Sequence, residues 1–276
     1  MTYMCAPRQG HCRFFTPTAK HLLPDNGNLL IASLPARDRE LLSSHLEPVT
    51  LRLKDVLTEF DAPVEHVYFP ESGMCSLLSV LSNGKAVEVA SAGREGMVGM
   101  PLFFRTERLP ERCIVQLPGR AHRMSAESFR KVLRESDALN DVLHRYAGCI
   151  YSFASLNTAC GRKHQVVPRL ARWLLHSADQ SGTHSLKLTH EFGAMMLGVR
   201  RSSITVAAGE LRKRKLIDYT RSSIDIVDRA GLIAASCECY ATISGTYARL
   251  LGVDERSVVE RPGFAGGEAY SLKSIG

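Results

Sequence analysis

No apolar run in this sequence is long enough to cross a bilayer, and the N-terminus lacks the apolar stretch of a secretory signal peptide. We therefore expect a protein that has no contact with membranes and that resides in the cytoplasm. Because the cytoplasm is reducing, the eight cysteines are expected to remain thiols rather than to form disulfides.

The signatures of common enzymes are missing as well. There is no P-loop and no Gly-x-Ser-x-Gly nucleophile elbow, and His190-Glu191 lacks the second histidine of a zinc-protease motif. The histidines around His66 are too few for a cupin-like metal site. We expect no catalytic residues, no metal site and no cofactor.

Residues 189–217 carry the strongest pattern in the chain, which is two short helices joined by a tight turn at Gly198. Thr189 can cap the first helix by accepting a backbone N–H that has no partner within the helix. Apolar side chains at helical spacing form the buried side of the pair: Phe192, Met196, Leu197, Ile204, Ala208 and Leu211. This pattern is typical of a helix-turn-helix.

The second helix, expected over residues 201–214, opens with side chains that bond to base edges and phosphates. In a helix-turn-helix this end enters the major groove of DNA. Two adjacent arginines at the tight turn argue against the alternative of a helical hairpin buried in a core. The predicted DNA contacts are Arg200, Arg201, Ser202, Ser203, Thr205, Lys187, Thr189 and Arg221.

Positive charge is concentrated in the same part of the chain. The net charge is +7, and residues 161–221 hold twelve Lys and Arg against four Asp and Glu. The remainder of the chain is therefore nearly neutral. A localised basic surface is typical of proteins that bind phosphates, which favours double-stranded DNA as the partner.

Short β-prone runs follow the helix-turn-helix, and others occur in the first half of the chain. Residues 216–219 and 224–227 flank a polar turn that holds Arg221, and a hairpin at this place is the wing of a winged helix. An arginine at its tip can contact a phosphate. The first half of the chain has several short strands and an Asn83-Gly84 hairpin signal, which together predict a β-roll or jelly roll.

A long helix is expected between the two halves, from Ser136 to Cys160. Its apolar positions alternate between steps of four and three residues, as in a coiled-coil seam. Because readers of DNA half-sites are usually two-fold dimers, we predict that this seam joins two copies into a homodimer. The alternative is a helix packed on its own domain. The predicted seam residues are Leu139, Leu143, Tyr146, Ile150, Phe153 and Asn157.

The predicted fold class is α+β, with a β-roll effector domain, a long dimerisation helix and a winged helix-turn-helix. The chain divides into a flexible tail at 1–28, the β-roll at 29–123, a helical region with the dimerisation helix at 124–167, the winged helix at 168–235, and a C-terminal helix with a disordered tail at 236–276.

This order of parts resembles the Crp/Fnr family of bacterial transcription regulators. The resemblance extends over about residues 29–235 and is most specific at Thr189, Gly198 and Arg201. It implies a homodimer that reads a palindromic DNA site and works with RNA polymerase. Arg201, Ser202 and Thr205 fall where the family reads base edges, whereas Val206 stands where many members carry a second arginine.

The effector pocket that the resemblance implies is degenerate. Its candidate residues are Gly96, Gly99, Arg112 and Cys113, but Met100 stands where cyclic-nucleotide-binding members carry a glutamate for the ribose. A methionine cannot accept hydrogen bonds from ribose hydroxyls as a carboxylate does. We therefore expect no binding of cyclic AMP or cyclic GMP, and the effector is unidentified.

The cysteines do not match the iron–sulfur site of the Fnr branch, because only Cys5 and Cys12 precede the β-roll. Cys237 and Cys239 are predicted to lie on one helix, where residues two apart do not share a face, so no metal site is expected there. A thiol sensor is the alternative for this pair. For the whole chain, the alternative is a redox- or ligand-responsive sensor that acts through protein–protein contact, which the basic surface argues against.

Overall fold

The computed structural model describes residues 27–252. The predicted disordered C-terminal tail and the predictions for Cys5 and Cys12 lie outside the described residues. The predicted flexible N-terminal tail also lies outside them, except for residues 27 and 28. Helices and strands are mixed along the chain, which confirms the α+β class. No helix of the described part is long and apolar enough to cross a membrane.

From residue 27, where the description begins, to residue 125, the N-terminal part contains three short helices and seven strands. The helices are α1 (Leu29–Ala32), α2 (Ala36–Ser43) and α3 (Met100–Phe103). The strands are β1 (Glu47–Leu51), β2 (Val56–Thr58), β3 (His66–Pro70), β4 (Met74–Val80), β5 (Ala86–Ala92), β6 (Glu111–Leu117) and β7 (Gly119–Ser125).

The C-terminal part is mainly helical. Its helices are α4 (Ala126–Glu135), α5 (Asp137–Lys163), α6 (Val166–Ser181), α7 (His190–Leu197), α8 (Arg201–Lys213), α9 (Arg229–Ala235) and α10 (Cys239–Leu251). Its strands are β8 (Ser185–Leu186), β9 (Ile217–Tyr219) and β10 (Ile224–Ile226).

The seven N-terminal strands form two antiparallel sheets, with strand orders β1-β7-β3 and β2-β6-β4-β5. Their facing sides enclose a common core, as predicted for a β-roll. The predicted Asn-Gly hairpin joins β4 to β5. At this turn the N–H of Leu81 donates to the carbonyl of Lys85 at 2.8 Å, and Gly84 takes a φ of +77° that favours glycine.

The long helix α5 begins one residue after Ser136, whose hydroxyl accepts the N–H of Leu139 at 3.0 Å. This cap satisfies one of the backbone donors that have no partner within the helix. The predicted helix is therefore confirmed, and it continues three residues beyond the predicted end at Cys160.

The predicted dimer seam on α5 faces the interior of its own chain, so its assignment as an intermolecular surface is wrong in this fold. Leu139, Leu143, Tyr146 and Phe153 are each at most 2% exposed. Ile150 packs against the same core, and Asn157 donates to the carbonyl of Glu88 at 2.7 Å. Strand β5 and helix α10 pack along α5 and cover this stripe. The heptad pattern correctly marked a buried face, but β5, α10 and the β-roll core bury it.

The winged-helix part has a second core, built around α6 and the buried sides of α7 and α8. The predicted hairpin of β9 and β10 is present, and β8 adds a third strand in the order β8-β10-β9. The same core contains Met74 and Leu78 of β4, so the winged helix packs directly on the β-roll.

The chain then returns to the β-roll through α10, which packs on α5 and contributes Ile243 and Tyr247 to the first core. Helix α10 begins at Cys239, so Cys237 lies before the helix rather than on it. The prediction that Cys237 and Cys239 occupy one helix and point to different faces is therefore wrong.

Candidate nucleic-acid interface

The turn between α7 and α8 is held by backbone geometry that the sequence provides. The hydroxyl of Thr189 accepts the N–H of Phe192 at 3.2 Å and so caps α7. Helix α7 ends at Gly198, which has a φ of +63°. Only glycine adopts this left-handed conformation without strain, and it directs the chain into α8 after two residues.

The two helices pack through small and branched apolar side chains. Ala194 and Leu197 of α7 and Ile204 of α8 are buried, together with Ala208 and Leu211 further along α8. The indole of Trp173 on α6 lies directly beneath Gly193, where a Cβ would come within 3.7 Å of the ring. Helix α8 is thus fixed on α6 by one face, while its other face is turned to solvent.

The exposed face at the start of α8 carries the residues predicted to read base edges. The Arg201 side chain is 70% exposed, and Ser202 and Thr205 are also exposed. The hydroxyl of Thr205 donates to the carbonyl of Arg201 at 3.1 Å, and His190 Nδ1 lies 3.2 Å from the same hydroxyl. Val206, where a second arginine is common in the resembling family, is 72% exposed.

The charged groups around Arg201 leave its guanidinium available for contacts with a ligand. Its Nε lies 3.7 Å from Glu191 Oε2, an exposed pair of the kind that contributes little to stability in water. Burial and the nearby charge of Arg201 lower the pKa of His190, so this imidazole stays neutral at physiological pH.

The wing lies beside this end of α8 and forms a groove with it. Thr189, Arg201, Tyr219 and Arg221 line the groove, so two of the predicted arginines converge on one concave surface. Across the wing turn, the N–H of Thr220 donates to the carbonyl of Ser223 at 2.9 Å. The guanidinium of Arg212 lies 5.0 Å from the centre of the Tyr219 ring and holds the wing against α8.

The other predicted contacts do not line the groove but lie close in sequence to residues that do. Arg200 is the exposed residue before α8, Ser203 is half-buried in its first turn, and Lys187 is exposed after β8. Part of the basic run is structural instead. Arg169 donates to the carbonyl of Leu197, and Arg172 is buried and donates to Asn157 Oδ1 at 2.7 Å.

A buried polar cluster joins the two halves of the molecule, and no sequence pattern predicted it. Ser76 donates to a carboxylate oxygen of Glu88 at 2.7 Å, and Asn157 bridges the Glu88 carbonyl to Arg172. Burial raises the pKa of Glu88 to about 7. Glu88 lies between two valines in β5, a pattern that is typical of an exposed glutamate rather than a buried one.

Two family models match the sequence in the order in which these parts occur. The model described as a cyclic nucleotide-binding domain matches residues 48–136, and the one described as a Crp-like helix-turn-helix domain matches residues 168–235. Together they cover more than half of the chain. The chain belongs to the Crp/Fnr family of transcription regulators.

Solved structures of Crp/Fnr regulators share the fold. FixK2 from Bradyrhizobium japonicum superimposes with a TM-score of 0.60 at 14% identity, over 70% of this chain and 98% of FixK2. The c-di-GMP responsive regulator CLP from Xanthomonas campestris gives 0.54 at 13%, over 70% and 99%. A CooA mutant from Carboxydothermus hydrogenoformans gives 0.52 at 15%, over 76% and 96%. No curated protein sequence matches the chain significantly.

In this Crp/Fnr regulator, the residues predicted to form an effector pocket do not converge on a cavity. A Cβ at Gly96 would overlap the Tyr146 ring, whose hydroxyl donates to the carbonyl of Met97 at 3.1 Å. Gly99 is in close contact with Val67. The predicted pocket is wrong at these two positions because Tyr146 from α5 and Val67 from β3 occupy the space.

The remaining two pocket candidates point elsewhere. Arg112 is 41% exposed and its Nε lies 2.7 Å from Glu59 Oε1, outside the β-roll. Cys113 is buried beside Cys75 in the core. The assignment of Arg112 and Cys113 to an effector pocket is therefore also wrong in this fold.

A small cavity does lie between the β-roll, α6 and α10 of this Crp/Fnr regulator. Its volume is about 70 Å³, and Arg94, Phe153, His176, Gln180 and Tyr247 contribute to its lining. Since a water molecule takes up about 30 Å³ in the liquid, this space fits waters rather than a nucleotide.

Proposed function

We propose that this chain is a sequence-specific transcription regulator that binds a palindromic DNA site as a homodimer. The observation that carries the proposal is the groove at the start of α8, where exposed Arg201 and the wing residue Arg221 face the same side. A rigid helix end that presents hydrogen-bond donors, beside a wing that carries an arginine at its turn, matches how winged helices enter the major groove.

Each residue at this surface has a role in the proposal. Arg201 pairs with a guanine, because a guanidinium can donate two hydrogen bonds to its O6 and N7. Ser202 and Thr205 bond to neighbouring base edges, and the exposed Val206 contacts a thymine methyl group. Contacts to phosphates position the protein and come from Arg200, Ser203, Lys187, Thr189 and Arg221.

The dimer in this proposal uses the outer face of α5, since the predicted seam is internal. Tyr151 lies on that face and is 77% exposed, and the small Ala154 one turn away allows close approach of a second helix. Two copies related by a two-fold axis would then present their α8 helices to half-sites about 34 Å apart. RNA polymerase is the proposed protein partner, and the signal acts through the β-roll.

The test compares the affinity of the wild type and of Arg201→Ala for a preferred duplex and for random duplex DNA. Losing the guanine contact should cost about 1–3 kcal/mol on the preferred site only, which is roughly a 5-fold to 160-fold loss of affinity. Arg221→Ala should weaken binding to all sequences about equally and lower the salt dependence.

Arg37→Ala is the matched control, because Arg37 is exposed on α2 outside the winged helix. It should leave both affinities unchanged. If Arg201→Ala also leaves them unchanged, α8 does not read DNA as proposed. If the wild type binds all sequences equally and weakly, a sensor that acts through protein–protein contact accounts better for the chain.

A further inference from the structure

Four potential metal ligands from two distant parts of the chain meet at the end of α5. Cys160 lies in the last turns of α5, His164 directly follows this helix, and Cys237 and Cys239 lie at the start of α10. The three Sγ atoms and an imidazole nitrogen all lie within 4.8 Å of one another. Three of these residues are buried and His164 is partly buried.

Three of the six separations between these atoms match those around a tetrahedral ion, and the others are at most 4.8 Å. Cys160 Sγ lies 3.5 Å from Cys237 Sγ and 3.5 Å from His164 Nδ1, and Cys239 Sγ lies 3.7 Å from the same nitrogen. With Zn–S bonds of about 2.3 Å and Zn–N bonds of about 2.0–2.1 Å, tetrahedral geometry places neighbouring ligand atoms about 3.5–3.8 Å apart.

We propose that Cys160, His164, Cys237 and Cys239 form a zinc site of the Cys₃His type. Four protein ligands complete the coordination of Zn²⁺ and leave no position for water or substrate, so the ion has a structural role. Zinc binding requires the three thiols to lose their protons, which are released to solvent.

Local structure explains why the ligands converge. Cys160 and His164 are four residues apart at the end of α5, and this spacing places them on the same side. Cys237 precedes α10 and Cys239 is its first residue, so the two side chains are not held to the spacing within one helix that would turn them to different faces.

The surroundings also fit a bound cation. His164 Nε2 lies 3.1 Å from Glu238 Oε1, so this carboxylate can hold the proton on Nε2 and leave Nδ1 free to coordinate. A zinc ion with three thiolates and one neutral histidine carries a net negative charge. The charges of Arg169 and Arg172, which lie near the thiols, offset it.

Other occupants explain these observations less well. An iron–sulfur cluster inserts several iron and sulfide atoms between its thiolates, which would have to lie farther apart than the present ligand atoms do. A disulfide between Cys160 and Cys237 would leave Cys239, His164 and the carboxylate on Nε2 without a role. Tetrahedral sites rich in thiolates favour Zn²⁺ over Fe²⁺.

The site has a clear place in the fold. It links the end of α5, the helix that packs into the first core, to the start of α10, which the chain reaches only after the winged helix. A bound ion would therefore hold together the two segments that enter and leave the winged helix, which are the end of α5 and the start of α10. Loss of the ion should loosen the packing of α10 on α5.

The first experiment measures the metal content of the full-length protein purified under reducing conditions without added metal. We expect one zinc per chain and neither iron nor inorganic sulfide. The metal-free protein is then titrated with Co²⁺, which gives an intense visible absorption when four ligands including thiolates surround it tetrahedrally. Zn²⁺ should displace the Co²⁺ and remove that absorption.

The variants separate the site from a general effect on folding. Cys239→Ser should lose the cobalt absorption, whereas Cys149→Ala, at a buried cysteine of the first core, should keep it and the zinc. Glu238→Gln, which keeps all four ligands, should bind Zn²⁺ about 10–100-fold more weakly. Removal of zinc from the wild type should lower the unfolding temperature, with no such shift in Cys239→Ser.

The proposal is overturned if the reduced wild type binds neither Zn²⁺ nor Co²⁺ stoichiometrically, or if it contains iron and sulfide. It is also overturned if mild oxidation yields a Cys160–Cys237 disulfide in a protein that never held metal. Because none of these measurements involves DNA, their failure leaves the proposed DNA-binding function untouched.

Discussion

At the scale of single residues, burial decides which polar side chains are structural and which are available for contacts. Arg172 and Arg201 belong to the same basic run in the sequence, yet Arg172 is buried against Asn157 whereas Arg201 faces solvent. Composition located the basic module but could not separate these two roles. For α8, the helical spacing of apolar residues such as Ile204 and Leu211 made this distinction. It identified the buried face of the helix and left Arg201 on the exposed face.

Glu88 carries the first prediction at this scale. Burial raises the pKa of its carboxyl from 4.5 to about 7, so the folded protein binds more protons than the unfolded chain between these values. The free energy of unfolding should therefore fall as the pH rises from about 4.5 to about 7 and level off above that. The contribution of Glu88 to this fall is at most about 3 kcal/mol.

Glu88→Gln should remove the part of this pH dependence that Glu88 contributes and make the protein relatively more stable at pH 8, whereas Glu95, whose pKa burial also raises to about 7, keeps its own part. Urea unfolding of the wild type and the variant between pH 5 and pH 8 measures the effect. Glu135→Gln, at an exposed position at the end of α4, is the control and should follow the wild type. Parallel curves for the wild type and Glu88→Gln would show that Glu88 does not titrate in this range.

At the scale of elements, local signals predicted the helix-turn-helix well because its geometry depends on neighbouring residues. Thr189 caps α7 and Gly198 ends it, as the sequence indicated. The α5 helix was also predicted, but its partner was not. A heptad stripe shows that one face is buried, and it contains no information on whether a second chain or α10 and β5 cover that face.

Two glycines in the helix-turn-helix should respond in opposite ways to alanine. Gly198 has a φ of +63°, where a Cβ costs roughly 1–2 kcal/mol, so Gly198→Ala should destabilise the protein by about that amount. Gly209 lies within α8, and a Cβ there meets no atom within 4 Å. Gly209→Ala should therefore stabilise the helix by roughly 0.5–1 kcal/mol.

Denaturant unfolding of both variants at one pH measures these differences. Gly198→Asn should recover part of the loss, since asparagine tolerates the left-handed region better than alanine does. Equal effects of alanine at positions 198 and 209 would contradict the assigned turn.

At the scale of the whole molecule, the order of β-roll, long helix and winged helix followed from the sequence, while the way these parts pack did not. Contacts such as Val87 against Gly198, or α10 against α5, join residues far apart in the chain. No local pattern encodes such pairs, which is why the metal-ligand set and the buried Glu88 cluster were missed. The boundaries proposed for the five segments remain predictions.

The oligomeric state provides a prediction at this scale. Tyr151→Glu places a charge on the exposed face of α5, where the proposed two-fold axis would bring two copies together, so it should convert a dimer into monomers. Light scattering during size-exclusion chromatography measures the mass directly. Arg145→Glu, exposed elsewhere on α5, should remain dimeric. A wild-type monomer, or a Tyr151→Glu dimer, would rule out this interface.

The most direct test of the central claim is selection of bound sites from random duplex DNA by the full-length protein, with Arg201→Ala selected in parallel. We expect a palindromic consensus whose half-sites lie one helical turn apart, about 34 Å, and a loss of preference at one position per half-site in the variant. No consensus from the wild type, or the same consensus from Arg201→Ala, would contradict the claim that α8 reads DNA sequence in a dimer.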